Sequence, residues 1–177
     1  LQTESNNYDA VVCVQGLGFV GAAMALVVAA ARRDDGTARY LVIGVDQDTE
    51  TGRARIEALG RMNELVEHDA IHLMDPLGYI DFMNGIMHSK CVITDSGGIQ
   101  EETTWLRVPC ITLRPNTERP ITITQGTNVL ATPMTLQSEL GKIEEQSNSD
   151  QTEIEFWDGR TAQRCVQSLE KFLKRRV

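Results

Sequence analysis

The sequence predicts an α/β protein: one doubly wound parallel sheet, Rossmann-like, of about six strands, with helices on both faces. Three observations point there. Short apolar runs alternate with helical patterns along the 177 residues. The first run ends in a glycine-rich turn, Gly16 to Gly21, that opens a helix. The fourth ends in Thr94-Asp95-Ser96-Gly97-Gly98, which opens another. Buried strands that alternate with helices are the pattern of parallel sheets built from βαβ units.

Taken in order, strands are expected near 10–14, 40–45, 71–73, 91–94, 110–113 and 127–130. Each is a short apolar run bounded by polar or small residues. Helical spacing falls between them, near 19–33, 50–67, 78–88, 98–107 and 134–146, with a last helix at 159–175. In that last helix Ala162, Cys165, Val166, Leu169 and Phe172 form a stripe expected to face a core, with Asp158 as cap. Glu144 to Glu153, EEQSNSDQTE, reads as a solvated connection. Right-handed crossovers and a strand order of 3-2-1-4-5-6 would make strands one and four neighbours at the topological switch point. Both small-residue turns would then face one crevice. All of 1–177 is expected to form one domain.

Composition narrows the partners. A hydrophobic fraction of 41% is ordinary for a globular chain of this length. A formal net charge of −8 argues against nucleic acid or an anionic membrane as partner. The apolar helix 22–31 is too short to span a bilayer and is broken by Arg32-Arg33-Asp34-Asp35. The four cysteines lack paired spacing, and three fall in expected buried strands, so they read as reduced thiols of a cytoplasmic protein. His68, His72 and His88 lack metal-ligand spacing, and no metal is expected.

The chemistry concentrates in residues 94–128. A strand that delivers a small-residue turn onto a helix N-terminus presents unpaired N–H groups and the positive end of a dipole to an anion. Gly97 and Gly98 allow close approach to the main chain, and Ser96 adds a hydroxyl. Glu102 sits in the second turn of that helix, and Arg119 in a later loop. Glu101 reads as a solvated acid that merely favours the helix start.

From Leu73 to Arg164 the chain resembles the C-terminal domain of non-hydrolysing UDP-N-acetylglucosamine 2-epimerases. The matching pieces are DPLGYIDFM (Asp75 to Met83), ITDSGGIQEE (Ile93 to Glu102), LRPNTERP (Leu113 to Pro120), QGTNVL (Gln125 to Leu130) and WDGRTAQR (Trp157 to Arg164). The resemblance implies a UDP site formed by Phe82, Ser96, Gly97, Gly98, Glu102 and Arg119. It assigns the diphosphate to Ser96 and the glycines, with Arg119 joining them, and the ribose to Glu102. Phe82 becomes either a wall of the uridine pocket or core packing. Ile121 departs from the family's usual TERPE. The epimerase-like part is taken to run over 73–177.

Residues 7–59 resemble instead the NAD-binding start of UDP-glucose/UDP-N-acetylmannosamine dehydrogenases. Gly16, Gly18 and Gly21 form G-x-G-x-x-G after a strand, and Asp46 ends the next strand, where it could accept from a ribose hydroxyl or simply begin a turn. Gln15 departs from that pattern, since a smaller residue is usual before the turn. The cysteine nucleophile and lysine of those dehydrogenases have no counterpart here, which argues against oxidation of a sugar. The expected function is therefore binding of UDP or a UDP-sugar, epimerase-like, without full autonomous turnover, because the family's catalytic carboxylates lie mainly in its other domain. That reading needs no cofactor, whereas NAD is possible at the N-terminal turn. Two alternatives stand beside it: an NAD-binding module of a dehydrogenase, and a non-catalytic fusion remnant. A homo-oligomer or an association with a full-length epimerase is possible.

Overall fold

The computed structural model describes residues 8–16, 25, 27–46, 49–60, 70–145 and 153–174. Six strands form one sheet: β1 (Ala10–Gln15), β2 (Tyr40–Val45), β3 (Ile71–Leu73), β4 (Cys91–Thr94), β5 (Cys110–Thr112) and β6 (Asn128–Leu130). Their order is β3-β2-β1-β4-β5-β6, and every pairing is parallel. This is the expected doubly wound order, with the switch point between β1 and β4. There Gln15 stands opposite Thr94 in register, at the carboxyl ends of both strands.

The labelled helices are α1 (Glu50–Gly60), α2 (Tyr79–Met87), α3 (Gly97–Leu106), α4 (Pro120–Thr124), α5 (Leu136–Glu145) and α6 (Thr161–Lys174). Strand residues alternate between two buried clusters, as a period of two requires. Val12, Val14, Val42, Cys91, Ile93 and Ile111 face one side, packed with Ala25, Val28 and Ala29 and with Leu136 and Leu140 of α5. Cys13, Val45 and Val92 face the other, against Ile86 of α2 and Ile99 of α3. Both faces of the sheet are thus covered, so the strands are apolar throughout rather than alternating. Burial pushes the Cys13 thiol up to about 12 and that of Cys110 to about 11, consistent with packed, unreactive groups.

Two expectations are corrected. The first helix was expected to reach 33, but helical backbone ends at Ala29, where the Ala31 N–H closes onto the Val28 carbonyl. The charged residues that follow build a hairpin-like turn. Asp35 accepts from the backbone N–H and the hydroxyl of Thr37 at 2.9 and 2.6 Å, and Gly36 adopts φ +84°. Such local side-chain bonds compete with helix. The helix expected over 50–67 is described only as Glu50–Gly60, because 61–69 lie outside the described residues. Pro120–Thr124, which directly follows the loop residue Arg119 and for which the sequence predicts no element, is a short helix with Pro at its first position.

The second correction concerns α6. The chain divides into two compact units, 1–147 and 148–177. In the second unit α6 has no buried residue, and Val166, Leu169 and Phe172 are exposed. A single helix has no second layer in its own unit on which to bury a stripe. The helix begins at Thr161 rather than 159, because Gly159 adopts φ +75°, and Asp158 ties the turn before it instead of capping it: the Arg160 N–H donates to Asp158 at 3.1 Å, and Arg164 grips both carboxylate oxygens at 2.7 and 2.6 Å. Among the described residues no helix is long and apolar enough to cross a membrane.

Candidate nucleotide site

The site lies in the first unit, at the carboxyl edge of the sheet. The β4 strand ends at Thr94, whose hydroxyl donates to Gln15 Oε1 at 2.7 Å and accepts the Ser96 N–H at 3.0 Å. Gln15 and Thr94 are both buried, so this bridge fixes the β4 turn to the end of β1. The sequence marked Gln15 only as a departure from a dinucleotide pattern. Its partner lies 79 residues away, and no local signal could identify it.

Ser96 is the N-cap of α3, with extended backbone (φ −82°, ψ 126°) and no side-chain capping bond. A serine at this position usually spends its hydroxyl on the second or third helical N–H. Here the first-turn N–H groups of Gly97, Gly98 and Ile99 and the Ser96 hydroxyl are together available to an anion. A Cβ added at Gly98 would meet nothing within 4 Å. At Gly97 it would stand 3.1 Å from Glu118 Oε1. The TERP loop is therefore folded back over the start of α3.

Three further side chains converge on this turn. Arg119, the N-cap residue of α4, places Nε 3.1 Å from Glu101 Oε1. That contact is one of charges rather than an aligned hydrogen bond, since Nε is buried without a hydrogen-bond partner. Glu101 is thus not the bystander expected from sequence; it neutralises the candidate phosphate-binding cation. Glu102, one residue on, faces α2, where the Tyr79 hydroxyl donates to its Oε1 at 3.4 Å. Burial raises the Glu102 carboxyl above the ordinary glutamate range; Tyr79 partly offsets this, and the neighbouring charge of Glu101 adds to it. Phe82, in the same helix as Tyr79, is half-buried and packs on the cluster of Cys13, Val45, Ile86 and Val92.

Behind the turn a buried polar network holds the TERP loop. The Thr117 hydroxyl and the Asn128 amide donate to Gln100 Oε1 at 2.6 and 3.2 Å. Asn128 also donates to the Thr122 hydroxyl at 3.2 Å and accepts from Thr112 at 2.7 Å. These bonds join α3, the loop, α4, β5 and β6. Gly126 seals the junction: an added Cβ would lie 2.5 Å from the Thr122 carbonyl and 2.6 Å from the Thr104 side chain. None of these residues was singled out from sequence, since each partner is distant along the chain.

The N-terminal turn is only partly described. Gly16 follows β1 with φ +87°, and a Cβ there would stand 3.4 Å from Asp95 Oδ1. Gly16 thus lies beside the β4 turn at the switch point. Asp46, just past β2, is buried. Gly18 and Gly21 lie outside the described residues.

This geometry has relatives. The family model for UDP-N-acetylglucosamine 2-epimerase matches residues 21–170. A UDP-N-acetylglucosamine 2-epimerase of Methanococcus maripaludis is 43% identical over 77 residues, 44% of this chain and 21% of that protein. The Bacillus subtilis enzyme of the same name is 35% identical over 111 residues, 58% of this chain and 29% of its own. Among solved structures, the Methanocaldococcus jannaschii UDP-GlcNAc 2-epimerase in complex with UDP-GlcNAc and UDP shares the fold with a TM-score of 0.66 at 23% identity, covering 96% of this chain and 48% of that one. The chain thus spans about half the length of that solved relative. The match begins at residue 21, inside the glycine-rich turn, and continues through β2 and Asp46. Most of the segment that resembled a dehydrogenase therefore falls within the epimerase match, and the dehydrogenase resemblance gains no support. Matched over more than half its length, the chain belongs to the UDP-N-acetylglucosamine 2-epimerase family.

Proposed function

We propose that this chain binds UDP or a UDP-N-acetylhexosamine at the N-terminus of α3 and supplies the nucleotide half of a 2-epimerase site. The observation that carries the proposal is the unspent cap: Ser96 heads α3 without a side-chain capping bond, above open first-turn N–H groups. These groups and Arg119 would hold the diphosphate, and Glu102 would accept from the ribose hydroxyls. The complex of the M. jannaschii relative with UDP-GlcNAc and UDP supports that choice of ligand.

In such an epimerisation UDP leaves carbon 1 of the sugar, and the configuration at carbon 2 changes before UDP returns. Negative charge grows on the departing diphosphate. Helix N–H groups and a guanidinium aimed at it stabilise that charge most where it is greatest. The proton transfers at carbon 2 need carboxylates beside the sugar. This chain's assigned residues serve the nucleotide instead, so the 177 residues by themselves bind without appreciable turnover. No cofactor enters this scheme.

Calorimetric titration with UDP tests the reading. Ser96→Ala and Glu102→Ala should each weaken binding by about tenfold or more, the scale of a lost charge-assisted hydrogen bond. UDP affinity untouched by both changes would refute the assignment. A coupled epimerase assay showing turnover like that of an intact enzyme would refute the binding-only part. A second reading, NAD at the β1 turn, rests on the left-handed Gly16 and the buried Asp46. A matched NAD titration decides it, with binding lost in Asp46→Ala as its signature.

A further inference from the structure

The backbone of Arg119 is held on both sides. Its N–H donates to the Thr117 hydroxyl at 3.0 Å. Its carbonyl accepts from the N–H and the hydroxyl of Thr122 at 3.0 and 2.8 Å. Both hydroxyls run on into the buried network behind the turn. Thr117 donates to Gln100 Oε1 at 2.6 Å, and Thr122 accepts from the Asn128 amide at 3.2 Å. The same amide donates to Gln100 Oε1 at 3.2 Å, which closes a ring from the Arg119 N–H round to its carbonyl. Gln100, Thr122 and Asn128 are buried, and buried polar groups are costly to leave unpaired, so the ring favours one geometry.

Gln100 belongs to the start of α3, where its N–H reaches the Ser96 carbonyl at 3.4 Å. The ring therefore ties the Arg119 backbone to the same helix end whose N–H groups are assigned to the diphosphate. A hydroxyl has one proton to give and lone pairs with which to accept. Thr117 uses both, giving its proton to Gln100 and accepting from Arg119, and so joins the helix to the arginine through one atom. The guanidinium is held more loosely: Nε stands 3.1 Å from Glu101 Oε1 and has no aligned hydrogen bond. We propose that Thr117 is a positioning residue of the diphosphate clamp, which sets Arg119 against the start of α3 through its hydroxyl. The proposal rests on the UDP reading above. A cation placed before the ligand arrives loses less freedom on binding, and its attraction for the diphosphate is realised more fully.

The test is calorimetric titration of UDP into the wild-type chain, Thr117→Val, Thr117→Ser, Arg119→Ala and the double variant Thr117→Val/Arg119→Ala. Valine keeps the shape and removes both bonds, whereas serine keeps the hydroxyl. UDP binding should weaken by about five- to tenfold in Thr117→Val and by less than about twofold in Thr117→Ser. In the Arg119→Ala background Thr117→Val should weaken binding no further, because a positioning residue acts only through the group it positions. A threonine that merely supports the fold would weaken binding by the same factor in both backgrounds, and that additivity overturns the proposal. So does UDP affinity unchanged in Thr117→Val or in Arg119→Ala. If Arg119→Ala abolishes measurable binding, the split between the valine and serine variants decides alone. Thermal melts check that each variant is folded at the titration temperature, and Thr117→Ala replaces Thr117→Val if valine disrupts the fold. The nucleotide reading is decided separately. UDP binding lost in Ser96→Ala but indifferent to Thr117→Val sinks only the positioning role, whereas no UDP binding by the wild-type chain, or binding that ignores Ser96, removes both.

Discussion

Glu102, the proposed ribose contact, stands where burial penalises its charge. Its carboxyl is raised by burial, so the ionised form is the one the fold disfavours. A raised folded-state value means that Glu102 contributes most favourably below the unfolded glutamate value of about 4.3, and that this contribution is lost as pH rises through the folded value. Glu102→Gln removes the ionisation while keeping an acceptor for Tyr79. It should therefore raise the melting temperature at pH 7 slightly, with the difference fading near pH 4. Thermal unfolding at the two pH values checks this, and a lower melting temperature at pH 7 would contradict it. The same variant should bind UDP less well, which separates the residue's function from its stability.

Among the elements, α3 and α4 are placed by contacts that no single segment encodes. Gly126 lets the chain pass between the Thr122 carbonyl and the Thr104 side chain at distances a Cβ could not tolerate. Backbone on one side and a buried threonine on the other leave little room to adjust. Gly126→Ala should destabilise the chain by about 1–3 kcal/mol, the usual range for overpacking, as read by urea unfolding. Because Arg119 is the N-cap residue of α4, the same change should weaken UDP binding as well. Gly98→Ala makes an informative contrast: its Cβ meets nothing within 4 Å, so stability should hold or rise slightly as alanine replaces glycine in a helix. Any loss in that variant would then appear in ligand binding.

Over the whole molecule, the site belongs to the first compact unit, 1–147, and ligand binding should stabilise that unit by mass action. At a UDP concentration of about 100 times Kd the gain is about 2.7 kcal/mol. The melting temperature of the wild-type chain should therefore rise by several degrees with UDP, while Ser96→Ala at the same UDP concentration stays near its ligand-free value. A shift of equal size in both proteins would place the nucleotide elsewhere. Net charge does not oppose this binding. The −8 of the chain is a global quantity, whereas helix N–H groups and Arg119 act within a few ångströms of the ligand.

The sequence by itself determined the strands, their order and the start of α3. Apolar runs such as Val12 to Val14 and Cys91 to Ile93 are buried on both faces, and that burial is readable from composition. Ser96-Gly97-Gly98 after β4 is a local signal, because strand end, turn and helix start are contiguous. What only the tertiary structure decided is what those groups face. Gln15 bridging to Thr94, Glu101 meeting Arg119, Glu118 covering Gly97 and Gln100 tied to Thr117 and Asn128 all join distant positions. The exposed stripe of α6 makes the same point in reverse. Its spacing announced an apolar face, but a periodic pattern states only that a face is apolar, and the surrounding layers decide whether anything buries it.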